Sequence, residues 1–149
     1  MHVKTVLENK GFDAFSVSPY DTVLTALRLF NEKSIGFAMV CGQNGDVLGT
    51  VSERDICLAM STAEGAGRQT AIKDVMAKNT VTCALDDNLV RVMALMTEKK
   101  TRHVLVYGDG ILRGVISIGD LVKHRLDEVM REEMELLQYI GGTGYSQAI

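Results

Sequence analysis

A chain of 149 residues, of which 46% are hydrophobic, is within the size range of one compact domain or of two small halves that share a core. At this length folding buries roughly 68–70% of the unfolded surface, so stability requires neither a disulfide nor a metal. The net charge of -3 comes from 16 basic and 19 acidic residues that are interspersed rather than clustered, which argues against a nucleic-acid partner.

The first half of the chain predicts a strand, a helix, a hairpin and a second helix. Residues 14–17 are the first strand, and Asp21 in the turn after it is the candidate N-cap of the helix. Apolar residues spaced at i, i+3, i+4 and i+7 then indicate one buried helix face: Val23, Ala26, Leu27 and Phe30. Residues 37–41 and 47–51 are strands on either side of an Asn-Gly hairpin signal, and the second helix begins near Glu53.

The second half predicts the same series of elements. Residues 81–83 are a strand, and a hairpin passes through 108–110. The helix between them has the apolar residues Leu89, Val92, Met93 and Met96. The polar, glycine-containing segment 61–70 has the composition of a mobile connection. The last helix runs from near Asp120 to Ile140, where two glycines end it.

The two halves are copies of one unit. Residues 21–33 align with 87–99 and share Asp, Glu and Lys, whereas 49–55 align with 114–120 and share Gly, Ser and Asp. The segment 3–7 likewise resembles 72–76. Because a sheet of about three strands buries too little surface to be stable alone, the two copies must pack together.

The predicted fold class is therefore α/β with a mixed α+β character, in which two pseudo-symmetric β-α-β-β-α units pack sheet to sheet and a long C-terminal helix follows. The predicted boundaries are 1–65 for the first unit, 66–70 for the linker, 71–126 for the second unit and 127–149 for the helix extension and tail.

Each copy ends in the pattern Gly-h-h-Ser-x-x-Asp, in which h is Thr, Val or Ile, where a strand meets a helix. A helix start presents unpaired N–H groups that favour an anion, and an Asp one turn later can accept two hydrogen bonds from a ribose diol. The alternative is a capping box, in which Ser52 pairs with Asp55 and Ser117 with Asp120. The residues alone leave both open, because duplication copies caps as faithfully as binding sites.

The tandem arrangement resembles the paired cystathionine β-synthase (CBS) domains, also called a Bateman module, over about residues 2–125. The most specific stretches are 47–56, 101–106 and 112–121. The resemblance implies clefts between the units that bind adenosine-containing ligands. Bacterial pairs of similar appearance are associated with AMP and NADH, so AMP or NAD(H) is the expected ligand, with ATP, ADP or S-adenosylmethionine as alternatives.

The resemblance also implies roles for individual residues. The motif residues would hold the ribose and phosphate: Ser52, Asp55, Ser117 and Asp120. Arg102 and Arg54 are the phosphate candidates because the guanidinium fork suits an anion, and a solvated surface position is the alternative for each. Backbone of the first and second strands would hold the base, at Val17, Ser18, Phe37, Thr80, Val81, Thr82, His103 and Val104. A purely structural role is the alternative for His103.

The sequence predicts a protein that is not an enzyme. It shows no nucleophile beside a general base, no G-x-S-x-G and no P-loop, and the repeats leave only the linker and the tail for other purposes. No group of His, Cys or carboxylates has metal-ligand spacing, so no metal is expected. We expect a stand-alone regulatory module. The alternative is a ligand-independent dimeric scaffold or interaction protein.

The last helix is the predicted route to a partner. It has an apolar stripe among charged residues, made of Leu126, Val129, Met130, Leu136, Leu137 and Ile140. The stripe either packs on its own globule or pairs with a second copy in a homodimer, and an effector protein would receive the signal.

Cysteine usage and the first residues indicate where the protein works. Cys41, Cys57 and Cys83 have no C-x-x-C spacing and lie in or beside apolar runs, so we expect buried free thiols and a reducing compartment. The apolar runs are far shorter than the ~20 residues that cross a bilayer, and residues 1–6 resemble neither a signal nor a transit peptide. The expected location is the cytoplasm, without membrane contact.

Overall fold

The computed structural model describes residues 1–12, 14–62 and 64–142. In the first half the elements are α1 (Val3–Lys10), β1 (Ser16–Val17), α2 (Val23–Lys33), β2 (Phe37–Cys41), β3 (Val47–Ser52) and α3 (Glu53–Thr62). A short 3-10 turn (Ile72–Asp74) precedes the second half, which contains β4 (Thr82–Ala84), α4 (Leu89–Lys99), β5 (His103–Gly108), β6 (Ile111–Ser117) and α5 (Ile118–Ile140).

Within these residues each half forms a three-stranded sheet, in the order β1-β2-β3 and β4-β5-β6. The first pair of strands is parallel and the second antiparallel in both sheets. The register is also repeated, because Phe37 lies opposite Ser52 and His103 lies opposite Ser117. The predicted mixed fold with two repeated units is confirmed.

The two sheets pack face to face, and the helices cover their outer faces. Met39 of β2, Leu105 of β5 and Val115 of β6 are buried together between the sheets. A second core lies between β1–β3 and the helices α2 and α3, and a third lies between β4–β6 and the helices α1, α4 and α5. Burial on both faces explains why the middle strands β2 and β5 are continuous apolar runs.

The leading segment of each half packs on the other half. The buried side of α1 belongs to the core of the second half, where the Val3 N–H donates to the Asp87 carbonyl oxygen at 3.0 Å. Ile72 belongs to the core of the first half, where its N–H donates to the Asp21 carbonyl oxygen at 2.8 Å. This exchange ties the halves together through backbone hydrogen bonds as well as through apolar contacts.

The prediction that Asp21 caps α2 is wrong. The N-cap is Thr22, whose hydroxyl accepts the Thr25 N–H at 3.3 Å. Asp21 instead accepts the Ser18 N–H at 2.8 Å, so its carboxylate closes the turn before the helix. A one-residue shift of this kind arises because adjacent Asp and Thr are both good N-cap residues.

The prediction that all three cysteines are buried is also wrong. Cys83 is buried, Cys41 is half-buried and Cys57 is exposed. Helix α3 buries Ile56, and a rotation of about 100° per residue turns the next side chain toward solvent. Burial raises the pKa of the Cys83 thiol to about 12.

Helix α5 continues beyond the globule. Leu121 near its start is buried, but its later apolar side chains are more than half exposed: Leu126, Met130, Met134, Leu136, Leu137 and Tyr139. The stripe therefore does not pack on the described part of its own globule. No helix in residues 1–12, 14–62 and 64–142 is both long enough and apolar enough to span a bilayer.

Candidate functional site

Both Ser/Asp motifs form caps at the starts of α3 and α5. In the first half the Asp55 N–H donates to Ser52 Oγ at 3.1 Å, and the Ser52 N–H donates to Asp55 Oδ2 at 2.9 Å. In the second half the same bonds join Asp120 to Ser117 at 3.1 and 2.9 Å, which makes a complete capping box. Oδ1 takes no part in these capping bonds, so in each carboxylate this oxygen can still accept a hydrogen bond from a ligand.

Each motif aspartate lines a cavity to which both halves contribute. The Asp55 cavity has a volume of about 370 Å³ and is lined, among others, by Ser52, Arg54, Arg102 and His103. The Asp120 cavity has a volume of about 380 Å³ and is lined, among others, by Lys10, Phe37, His103 and Ser117. These volumes are within the usual range for small-molecule sites.

Phe37 and His103 form the wall that the two cavities share. Their rings are stacked, with centroids 4.3 Å apart and planes inclined by 12°, and both side chains line both cavities. Burial, and then the positive charges of Lys10 and Arg102, outweigh Asp120 and lower the pKa of His103 to about 4. The imidazole is therefore neutral at pH 7, which suits a face-to-face ring contact.

Lys10, at the end of α1, binds the second motif aspartate. Its ammonium group lies 2.6 Å from Asp120 Oδ2 and donates to the Val115 carbonyl oxygen at 2.7 Å. Burial alone would raise the pKa of Asp120, but hydrogen bonds from Lys10 and Ser117 outweigh it, and the pKa lies below its usual value. Asp55 has a different second donor, because Ser52 Oγ lies 2.9 Å from its Oδ2.

A family model for the CBS domain matches residues 7–62 and 72–127. The chain belongs to the CBS domain family. The resemblance on which the sequence interpretation rested is thereby confirmed, and the protein is a CBS pair. CBS pairs are regulatory modules, and the fold contains two of these domains.

Known relatives agree with this assignment. The CBS domain-containing protein CBSX3, mitochondrial, of Arabidopsis thaliana is 30% identical over 151 residues, which cover 96% of this chain and 73% of that protein. A solved CBS-domain containing protein from Agrobacterium tumefaciens is 36% identical with a TM-score of 0.81, over 84% of this chain and 99% of that one.

A more distant structure shares the fold alone. The CBS domain pair of protein MJ0100 is 17% identical with a TM-score of 0.74, over 86% of this chain and 98% of that one. It was solved in complex with 5'-methylthioadenosine and S-adenosyl-L-methionine. That neighbour thus binds adenosine-containing ligands.

The CBS pair brings all six of the predicted ribose and phosphate residues to the cavities. The Asp55 cavity is lined by Ser52, Arg54, Asp55 and Arg102, together with the predicted base residues Phe37, Val81 and His103. The Asp120 cavity is lined by Ser117 and Asp120, again with Phe37 and His103.

Other predicted base residues lie outside both linings. Val17 and Val104 are buried in the cores beneath the helices, because alternate strand residues point to opposite faces of a sheet. Ser18 lies in the turn closed by Asp21. Thr80 and Thr82 flank Val81, which does line the Asp55 cavity.

Several lining residues of this CBS pair were not foreseen from the sequence. Lys10 lies 110 residues from Asp120, and no local pattern announces that contact. Asn79, Lys99, Lys100 and Thr101 line the Asp55 cavity. The basic residues just before and at Arg102 could have indicated an anion site. Their lysines were instead interpreted as the end of a helix. Among the described residues no cluster of three or more His, Cys, Asp or Glu could hold a metal ion.

The motif glycine of the first CBS domain is explained by packing. The Thr50 N–H donates to the Ala77 carbonyl oxygen at 2.9 Å, and the Ala77 N–H donates to the Thr50 carbonyl oxygen at 2.8 Å. A Cβ atom on the neighbouring Gly49 would lie 2.4 Å from that Ala77 oxygen. Glycine is therefore required at this position for the close approach of a backbone segment, whether or not a ligand binds.

Proposed function

We propose that this CBS pair is a sensor that binds an adenosine-containing nucleotide, AMP or NAD(H), in the cavities between its halves and has no catalytic activity of its own. The observation that carries the proposal is that each motif Ser/Asp pair lies at a helix start and also lines a cavity of ligand size. ATP, ADP and S-adenosylmethionine are the alternative ligands. The complexes of the MJ0100 pair support an adenosine-containing class.

The polar groups of the cavities match the polar half of a nucleotide. The carboxylates of Asp55 and Asp120 would accept hydrogen bonds from the ribose hydroxyls through Oδ1. The Ser52 hydroxyl lies at a helix start, where a phosphate is favoured, and the Ser117 hydroxyl would contact the ribose. Arg54 and Arg102 line the Asp55 cavity and would contact the phosphate. The base would lie against the aromatic wall, since stacking on a ring is favourable for any base.

Regulation would follow from the position of the cavities between the halves. A ligand changes the packing of two units only if its affinity differs between two arrangements. Both halves contribute lining residues, and the Phe37–His103 contact lies between them. A ligand bound beside this contact would favour one arrangement of the halves. An effector protein or a second copy could then bind that arrangement selectively.

The exposed face of α5 supports a homodimer as the form in which the sensor works. Basic residues lie near the beginning of α5, at 123–125, and acidic residues lie toward its end, at 132, 133 and 135. An antiparallel pair of α5 helices would place opposite charges beside each other while covering the exposed apolar stripe. We therefore propose a second copy as the occupant of this face. A reducing compartment, the cytoplasm, remains our proposal for the location, since the cysteines are unpaired.

The test compares motif aspartates with an aspartate that closes a similar turn away from the cavities. Asp87 Oδ2 accepts the Ala84 N–H at 2.9 Å and lines neither cavity. Isothermal titration with AMP, NADH, ATP and S-adenosylmethionine should show binding that Asp55→Ala or Asp120→Ala weakens, for each ligand, at the cavity which that ligand occupies, by roughly 2–3 kcal/mol, about 30- to 150-fold. Asp87→Ala should leave the affinities unchanged.

The alternative, a scaffold that ignores nucleotides, makes the opposite forecast. No adenosine compound would shift the melting temperature, although a ligand at 100 times its Kd would stabilise the fold by about 2.7 kcal/mol. A turnover product from any of these nucleotides would instead contradict the absence of catalytic activity.

A further inference from the structure

We infer that the two cavities are not equivalent: a phosphate-bearing nucleotide binds in the Asp55 cavity, whereas the Asp120 cavity accepts only ligands without a phosphate. This inference rests on the proposed function and refines it, because it assigns a ligand class to each site. Because the sequence is duplicated, each residue of one cavity can be compared with its counterpart in the other.

The structure establishes which residues correspond. The Glu53 N–H donates to the Gly36 carbonyl oxygen at 3.0 Å, and in the second half the Ile118 N–H donates to the Arg102 carbonyl oxygen at 2.8 Å. Arg102 is therefore the counterpart of Gly36. The residue two positions earlier ends the preceding helix in the left-handed conformation in both halves, with φ of 53° at Ser34 and at Lys100.

These correspondences show that the duplication has diverged in charge. Arg54, Lys100 and Arg102 line the Asp55 cavity. Their counterparts are Gly119, Ser34 and Gly36, of which Ser34 lines the Asp120 cavity and Gly36 lines both cavities. Three cationic side chains at one site are thus matched by two glycines and a serine at the other, although the backbone is the same at both.

A fourth cation strengthens the difference. Lys99 lines the Asp55 cavity, whereas its counterpart Lys33 does not line the Asp120 cavity. Lys33 Nζ lies 5.6 Å from the centroid of Phe15, which does line that cavity, and pairs with Glu32 at 3.8 Å. Four cationic side chains but only two carboxylates, those of Glu53 and Asp55, line the Asp55 cavity, so positive charge is in excess there.

The Asp120 cavity has no comparable excess. Its lining includes one lysine, Lys10, and one carboxylate, Asp120. These two groups already form an ion pair at 2.6 Å. His103 adds no charge near neutral pH, since burial lowers its pKa to about 4. A phosphate placed here would lose its hydration without gaining an unpaired cation, which is unfavourable.

The decisive variant gives the Asp55 cavity the side chains of its counterpart. Lys100→Ser with Arg102→Gly removes two cations and adopts residues that the same backbone accommodates in the first half. We expect the ratio of AMP affinity to adenosine affinity, measured by isothermal titration, to fall by about 10- to 100-fold. Lys4→Ser with Arg131→Ser removes the same charge from exposed positions outside both cavities and should leave the ratio unchanged.

The reciprocal variant tests whether the cations are sufficient. Ser34→Lys, in an Asp55→Asn background, should create AMP binding in the Asp120 cavity, because Ser34 lines that cavity and not the Asp55 cavity. Thermal melting of each variant verifies that it is folded before affinities are compared.

The outcomes separate this inference from the proposed function. An AMP-to-adenosine ratio that survives Lys100→Ser with Arg102→Gly overturns the inference, as does loss of AMP binding in Asp120→Ala but not in Asp55→Ala. In both cases nucleotide sensing itself stands. If the unmodified protein binds neither AMP nor adenosine, the proposed function fails and this assignment fails with it.

Discussion

Lys10 and Asp120 form an ion pair at 2.6 Å that joins the end of α1 to the motif aspartate of the second half. The pair spans 110 residues of sequence, and the ammonium also holds the Val115 carbonyl oxygen at 2.7 Å. The same carboxylate oxygen accepts the Ser117 N–H at 2.9 Å. One oxygen atom thus connects the N-terminal helix, a strand end and a helix cap.

Removal of this lysine should destabilise the fold. Lys10→Met keeps the length of the side chain but removes the ammonium donor from the Val115 carbonyl oxygen and leaves Asp120 Oδ2 with the Ser117 N–H, which should cost about 1 kcal/mol. At this chain length that corresponds to a fall of roughly 2–4 °C in melting temperature. Differential scanning calorimetry at pH 7 measures it.

Lys4→Met is the matched control, because Lys4 lies on the same helix and pairs with Glu8 at 3.9 Å with both side chains more than half exposed. It should change the melting temperature by less than 1 °C, in keeping with the small contribution of exposed pairs. Equal effects of the two substitutions would show that the contact between Lys10 and Asp120 contributes no more than a surface ion pair.

Acid should weaken the fold through His103. In the unfolded chain this histidine takes up a proton near pH 6.5, whereas in the folded state its pKa is about 4. Between these values the unfolded state binds the extra proton, so the free energy of unfolding falls as the pH is lowered through this window. From pH 7 to pH 5 we expect a loss on the order of 1 kcal/mol, measured by urea unfolding.

His103→Phe should remove this pH dependence and keep the ring contact with Phe37. His2 and His124 remain in that variant, so the difference between the two proteins isolates His103. Because the pKa of Asp120 is lower in the folded state, this carboxylate stabilises the fold at pH values above its unfolded pKa. That stabilisation is lost only as the pH falls through the folded pKa, which lies below the window of His103. An identical slope between pH 5 and 7 in both proteins would contradict the burial of a neutral imidazole.

Alanine at Gly49 should be far more damaging than at the corresponding glycine of the second half. A Cβ at Gly49 would lie 2.4 Å from the Ala77 carbonyl oxygen, which is backbone. At Gly114 it would meet Leu7 Cδ2 at 3.1 Å, the end of a side chain that can rotate. We expect Gly49→Ala to cost about 2 kcal/mol or more and Gly114→Ala less than about 1 kcal/mol in urea unfolding. The reverse order would contradict the packing described for the two motifs.

A charge on the exposed face of α5 should abolish self-association. Met130 and Leu137 are 60% and 61% exposed in one chain, and a dimer through this face would bury them. Met130→Glu should shift the mass measured by light scattering from dimer to monomer at micromolar concentration, since an unpaired buried charge is costly. Ile111→Glu is the control, because Ile111 is 57% exposed in a hairpin away from α5. A dimer that persists in Met130→Glu would place the interface elsewhere.

Local patterns in the sequence were sufficient for the repeated architecture. Apolar spacing marked α2 and α4, an Asn-Gly turn marked the first hairpin, and each Ser-x-x-Asp marked a helix start. These signals depend on residues a few positions apart, where backbone geometry dictates which side chains meet. They did not predict α1, and they placed the cap of α2 at Asp21 rather than at Thr22.

The site itself was decided by tertiary packing. The stacking of Phe37 on His103, the ion pair of Lys10 with Asp120 and the contact of Ala77 with Gly49 all join residues that are far apart in the chain. The sequence by itself determined the two units and the residue types of each motif. Only the tertiary structure decided that the units exchange their leading segments, that both motif aspartates border cavities and that Asp120 is bound by a lysine. These relations depend on how the two sheets pack together and not on any local periodicity.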